Sequence, residues 1–319
     1  MNDEKTCLVT GGAGFIGSHL CDKLLGAGYS VICVDNLVTG RKENLSDAFD
    51  NSQFIFLDHD VSEPLNRETI KQLNNVSYIF HLASPASVVD YQKYPEETAL
   101  VNSIGTRNLL EVAQETGAKF LFASTSEVYG DPKEHPQKET YWGNVNPVGI
   151  RACYDESKRF GEMMTMVYQR KYKLDARIIR IFNTYGPRMR SDDGRVISNL
   201  VNQAIKGEHM TVYGDGTQTR SFCYVSDLVD GIMQAMFGEK TNGEVINLGN
   251  PEEYRMVDLA LKIKEMIKSA SEIIFKELPT DDPHERQPDI AKAKTVLAWE
   301  PNVSVTDGLS KTIAYYRSL

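Results

Sequence analysis

A glycine-rich turn set between an apolar strand and a helix constrains this chain more than any other feature. The run Thr6-Cys7-Leu8-Val9-Thr10 leads into Gly11-Gly12-Ala13-Gly14-Phe15-Ile16-Gly17, which opens a segment of helical period over 15–25. A helix start presents backbone amides to an anion. Glycines at 11, 14 and 17 permit the tight turn, close approach of a pyrophosphate and tight packing of helix on strand. Asp35 ends the next apolar run, 30–35, eighteen residues beyond Gly17. A carboxylate there suits adenosine ribose hydroxyls and repels a 2′-phosphate, so the spacing predicts NAD rather than NADP. Arg41 and Lys42 lie close enough in sequence to temper that choice.

Further apolar runs at 53–57, 76–83 and 119–124 alternate with helical periodicity at 63–73 and 96–116. Strand, helix, strand repeated in this way predicts an α/β fold, a doubly wound parallel Rossmann sheet covered on both faces. A cofactor lying across the sheet edge would meet Asn36 beside Asp35, Asp60 and Val61 after the third strand, and Leu82 and Ala83 after the fourth. A polar loop then leads to a long helix over 152–172 and a strand over 176–182. Beyond Asn183, short elements are separated by glycine and proline. The expected division is an NAD-binding domain over 1–185, completed by about 222–249, and a smaller, discontinuous C-terminal substrate region mainly over 186–319.

Composition narrows the partners. Of 319 residues, 35 are Lys or Arg and 44 are Asp or Glu, a net charge of −9 that disfavours nucleic-acid and anionic-membrane surfaces. No apolar run approaches the roughly 18 to 20 residues of a membrane helix. Met1-Asn2-Asp3-Glu4-Lys5 lacks the pattern of a secretory leader, which favours a cytoplasmic chain. The five cysteines contain no Cys-x-x-Cys pair and no zinc-ligand spacing, so buried free thiols and no metal are expected.

Tyr154 and Lys158 are four apart on the predicted 152–172 helix and project from one face. A free phenol, with a pKa near 10, costs roughly 4 kcal/mol to ionise at neutral pH. A nearby ammonium and a nicotinamide charge lower that cost and make the tyrosine a usable base toward a hydroxyl. Upstream, Ser124-Thr125-Ser126-Glu127-Val128-Tyr129-Gly130 closes the fifth strand and supplies hydroxyls and a carboxylate. Tyr-x-x-x-Lys alone is common by chance; with the glycine turn it is far more specific.

Taken together with Tyr185-Gly186-Pro187, these motifs resemble the extended short-chain dehydrogenase/reductases that act on nucleotide sugars, over essentially the whole chain. Thr125 through Pro132, Tyr141-Trp142-Gly143, Arg151-Ala152-Cys153-Tyr154-Asp155-Glu156 and Asn250-Pro251-Glu252-Glu253 are similar to the UDP-glucuronate decarboxylases of that family. The resemblance implies oxidation at the sugar C4 with Tyr154 as base, loss of CO2 from the resulting β-keto acid, and return of the hydride to give UDP-xylose. It further implies that Thr125 and Ser126 approach the sugar, Glu127 assists around C5, and Arg286 lies near the substrate carboxylate. Pro85, Asn183, Arg188, Tyr213 and Arg220 are implied contacts of the UDP-sugar, and a homodimer joined through a four-helix bundle is implied for 96–116 and 152–172. One departure is Ser157, where the family carries glycine. The related 4,6-dehydratases place Asp where Ser126 stands, and epimerases usually lack a carboxylate at 127. A decarboxylase releasing a 4-ketopentose shares nearly all these residues and stays open, as does, more remotely, a non-catalytic dinucleotide sensor. Trp142 and Trp299 read as packing residues.

Overall fold

The computed structural model describes residues 5–64, 75–278 and 285–319. Seven strands form a wholly parallel sheet in the order β11-β6-β5-β4-β1-β2-β3. They are β1 (Thr6–Thr10), β2 (Ser30–Asp35), β3 (Phe54–Asp58), β4 (Val76–His81), β5 (Lys119–Thr125), β6 (Ala176–Ile181) and β11 (Val245–Leu248). Alternate residues enter different cores. Cys7, Val9 and Cys33 join one apolar cluster while Leu8, Ile32 and Val34 join another, so both faces are buried. This is the doubly wound Rossmann arrangement.

The Phe15–Gly26 helix begins at the glycine turn, as its periodicity requires. The predicted 63–73 helix falls largely on 65–74, outside the described residues. The 96–116 segment is helical but not uniform: Pro95–Leu100 and Thr106–Thr116 are joined by a π-helical turn, Val101–Gly105. There the side chains of Asn102, Ser103 and Thr106 bond the carbonyls of Thr98, Ala99 and Asn102, four residues back, and compete with the ordinary ladder. The Ala152–Tyr172 helix buries Tyr154, Ser157, Lys158, Gly161, Thr165 and Tyr168, a stripe of period three to four laid on the sheet. Gly161 sits against the Phe122 ring with no room for a Cβ.

The region after Asn183 holds short ladders: β10 (Cys223–Tyr224) on β7 (Thr184–Tyr185), β13 (Ile273–Lys276) on β8 (Met210–Tyr213), and β9 (Thr219–Ser221) between β12 (Glu253–Arg255) and β14 (Glu285–Arg286). The Val225–Phe237 helix intervenes and packs on Phe15–Gly26. Trp299 packs as expected, 3% exposed with Nε1 donating to the Asp227 carbonyl. Trp142 does not: it is 88% exposed, on a loop whose neighbours Val148 and Ile150 also face solvent. Cys7, Cys21, Cys33 and Cys223 are buried free thiols; Cys153 is only half-buried.

Candidate active site

A cavity of about 660 Å3 lies along the carboxyl ends of the central strands, where open α/β sheets bind ligands. At one end, Gly11, Gly14, Phe15, Ile16 and Gly17 line it. Gly14 caps the Phe15–Gly26 helix without a side chain, and its first-turn amides belong to this wall. Gly11 has φ +72°, and a Cβ there would lie 2.7 Å from Ala83 Cα. A Cβ at Gly17 would run into the Gly11 carbonyl. The turn is therefore a close-approach cradle for a pyrophosphate.

Asp35, 8% exposed, is bound to the turn it serves. Its Oδ2 accepts from Ala13 N and its Oδ1 from Leu37 N, both at 2.9 Å. Burial raises its pKa, and the two amide bonds oppose the shift. Asn36 Nδ2 donates to Asp60 Oδ2 at 2.8 Å, while Val61 is buried beneath. Burial works to raise the Asp60 pKa, but hydrogen bonds from Ser62 and Asn36 outweigh it and leave it lowered. Arg41 and Lys42 turn elsewhere: Arg41 faces Asp192 at 3.6 Å and Lys42 lies over the Phe56 ring. Leu82 and Ala83 also line the cavity, fixed to β1 by Leu82 N to Thr10 O at 3.2 Å. Beneath them His81 bridges Thr10 Oγ1 (2.8 Å) and Thr106 Oγ1 (3.1 Å). Burial, then the Lys158 charge, holds its pKa down to about 3, so it is a neutral structural post. These residues suit NAD: the glycine turn would hold its pyrophosphate, Asp35 its adenosine ribose, and Asn36, Asp60 and Val61 its adenine end.

At the other end stand Tyr154 and Lys158, both nearly buried. Lys158 Nζ donates to Ala123 O at 2.8 Å and lies 5.8 Å from the centre of the Tyr154 ring. Burial pulls its pKa down to about 7, against the pull of Glu162. Burial pushes the Tyr154 pKa up to about 12, opposed chiefly by a hydrogen bond from Thr125 and by Arg195. Ser157 bonds the carbonyls of Cys153 (2.6 Å) and Tyr154 (3.0 Å), so the departure from glycine turns inward along the helix.

Thr125 Oγ1 accepts from Glu127 N at 3.2 Å, which sets the Ser126–Tyr129 turn. Glu127 lies between two guanidinium groups, Arg151 Nη2 at 2.5 Å and Arg286 Nη1 at 3.3 Å. Burial raises its pKa, but Arg286, Arg151 and Arg220 overcome that and hold the carboxyl below its ordinary value. Arg286, 1% exposed, also donates to Ser126 O and, at 2.8 Å, to Gly130 O. It is thus tied to the loop that carries Glu127. Pro85, Asn183, Tyr213 and Arg220 reach the same cavity. Arg188 lines it too and pairs with Asp22 of the Phe15–Gly26 helix at 2.6 Å.

Two residues here have no role in the sequence reading. Arg151 stands in the Arg-Ala-Cys-Tyr motif, and only its contact with Glu127 reveals a role. Tyr91, 1% exposed, stacks on Tyr154 with ring centres 5.1 Å apart and planes at 6°. No spacing rule joins residues so far apart in sequence. Among the described residues no group of His, Cys, Asp and Glu is arranged to hold a metal ion.

A parallel sheet with a glycine turn at one end of its cleft and a Tyr–Lys pair at the other defines a dinucleotide-dependent enzyme of the short-chain dehydrogenase/reductase type. The chain belongs to the GDP-mannose 4,6 dehydratase family, whose family model matches residues 8–312. Within that family its relatives include UDP-glucuronic acid decarboxylase 1 of Arabidopsis thaliana, 55% identical over 311 residues, which are 98% of this chain and 69% of that protein. UDP-glucuronic acid decarboxylase 1 of Xenopus tropicalis is 51% identical over 315 residues, 99% of this chain and 73% of that protein. Among solved structures, UDP-glucuronic acid 4-epimerase from Bacillus cereus, in complex with UDP-glucuronic acid and NAD, superposes with a TM-score of 0.88 at 31% identity, covering 98% of this chain and 99% of that one. The dTDP-glucose 4,6-dehydratase DesIV of Streptomyces venezuelae, with NAD bound, gives 0.87 at 28%, covering 98% and 97%.

Proposed function

We propose that this protein is an NAD-dependent UDP-glucuronate decarboxylase that forms UDP-xylose and CO2 with no net change in cofactor. The observation that carries this reading is Glu127, held ionised between Arg151 and Arg286 in the cavity of Tyr154, with Ser126 rather than an acid beside it. NAD, held at the glycine turn and Asp35, would supply the acceptor for the C4 hydride and the donor for its return.

Tyr154 is placed to take the C4 hydroxyl proton. With its pKa at about 12, ionisation at neutral pH would cost roughly 7 kcal/mol. Positive charge close to the phenol must offset most of that, and Lys158 is the side chain placed to contribute it. Glu127, ionised, accepts protons and hydrogen bonds rather than donating them, so it acts near C5 as an acceptor and not as the proton donor. Expulsion of a C6 hydroxyl needs an acid where Ser126 offers a neutral hydroxyl, which disfavours dehydration. The decisive experiment follows UDP-glucuronate by NMR without added reductant. UDP-xylose with stoichiometric CO2 is expected; a 4-epimer with no CO2 would overturn the reading.

We also propose that two chains associate through the outward face of Ala152–Tyr172. Phe160, Met163 and Val167 on that helix, and Ile104 on the adjacent π turn, are 42%, 46%, 37% and 45% exposed, an apolar row suited to a second copy.

A further inference from the structure

The segment 187–195, between β7 and the Val196–Lys206 helix, lines the same cavity as the glycine turn through Arg188, Met189, Arg190 and Gly194. It is fastened at both ends. At the cofactor end, His19 Nε2 donates to Pro187 O at 3.0 Å and Arg188 pairs with Asp22 at 2.6 Å. His19 and Asp22 belong to the same helix that Gly14 opens. At the reaction end, Arg190 Nη2 donates to Asp90 Oδ1 at 2.8 Å. Asp90 shares the Val88–Lys93 helix with Tyr91, whose ring stacks on Tyr154. Tyr316 OH ties the middle of the strap down by donating to Met189 O at 3.0 Å.

The burial of these pairs matters. The side chains of Arg190 and Asp90 are 18% and 9% exposed, and those of Arg188 and Asp22 18% and 32%. They are screened far less than ordinary surface pairs, whereas the Asp192–Arg41 contact at 3.6 Å, with both groups exposed, contributes little.

Resting on the decarboxylase reading, the chemistry sets a demand this strap can meet. Oxidation moves the C4 hydride to the cofactor; the C5–carboxylate bond then breaks, its electron pair passes toward the C4 ketone, and C5 takes a proton. If the reduced cofactor leaves at that stage, the balanced outcome is UDP-4-ketopentose, CO2 and NADH. If it stays, hydride and a proton return to C4 and UDP-xylose forms. We infer that the 187–195 strap is the retention element for the reduced cofactor. Its Arg188–Asp22 and Arg190–Asp90 pairs thereby determine which of the two products leaves.

The test measures NADH release directly, from bound NADH fluorescence chased with excess NAD in a stopped-flow instrument. Asp22→Asn, at a helix surface position, removes one pair with little change of shape, and Asp90→Asn removes the other. Each variant is expected to release NADH at least about 10-fold faster than wild type, because loosening a wall of the cofactor cavity acts mainly on the dissociation rate. Asp22→Glu should restore slow release. With UDP-glucuronate, the ketopentose share of product should rise in step. Release rates within about twofold of wild type, in variants with unchanged melting curves, would overturn the inference. Faster release together with a wild type that forms no CO2 would leave the strap standing and remove the decarboxylase reading instead.

Discussion

Tyr154, buried, and Glu127, half-buried, share one cavity, yet their surroundings push them in opposite directions. Burial takes the phenol up to about 12; at Glu127 the same burial loses to Arg286, Arg151 and Arg220. Tyr154→Phe, which keeps the ring stacked on Tyr91, should lower kcat by at least about 100-fold. Calorimetry should find NAD affinity nearly unchanged. Glu127→Gln should also cut turnover by at least about 100-fold, measured as CO2 release, since it leaves two guanidinium groups facing a neutral amide. Asp155 gives a pH test. Burial first, and then the Glu127 charge, push its pKa from 3.8 up to about 7. The folded chain therefore holds a proton that the unfolded chain has released between those values. Stability from this group is complete below about pH 4 and lost as pH rises through 7. Asp155→Asn should melt like wild type near pH 4 and be more stable, on the order of 1–3 kcal/mol, above pH 7. Tyr154, Lys158 and Glu127 were legible because they sit in short motifs with a definite chemistry. Tyr91 was not, because stacking joins two segments that no local pattern links.

Local periodicity carried most of the element-level reading. Most strands of the parallel sheet are apolar runs, though β6 carries Arg177 and Arg180, and the Ala152–Tyr172 helix presents its buried face every three to four residues. The short ladders escaped it. β9 has three residues, and its Arg220 pairs with both Tyr254 and Arg286, partners far along the chain. Strands of two to four residues have too few side chains to display a period. The π turn at Val101–Gly105 was hidden for another reason: Asn102, Ser103 and Thr106 interrupt the backbone ladder without breaking the apolar pattern. The glycine turn is the element whose sequence and geometry agree most closely, and it is open to test. Gly17→Ala would drive a methyl group into the Gly11 carbonyl and push the turn away from its anion. NAD affinity should fall by at least about 10-fold in calorimetry, with the far-ultraviolet circular dichroism unchanged. Unaltered affinity would show that the pyrophosphate does not rest on this turn.

At the scale of the whole molecule, the sheet divides the Ala152–Tyr172 helix into two tasks. Its inner face carries Tyr154 and Lys158 to the cavity, and its outer face carries Phe160, Met163 and Val167, which lie three and four residues apart on one stripe. Ile104, on the helical segment packed beside it, extends that stripe onto a second helix. In the proposed dimer, two helices per chain would meet their copies about a two-fold axis as a four-helix layer, and such an interface sets each residue near the axis opposite its own copy. That symmetry makes a charge unusually disruptive. A glutamate at 163 would be desolvated on both chains and would face its own like charge, at a cost of several kcal/mol. It would leave the inner face of the helix untouched. Met163→Glu should therefore sediment as a monomer at micromolar concentration where the unaltered chain sediments as a dimer, while Tyr154 and Lys158 keep their cavity and NAD still binds. A Met163→Glu protein that remains dimeric would place the association on another surface, and a wild type that is monomeric at the same concentration would remove the dimer altogether.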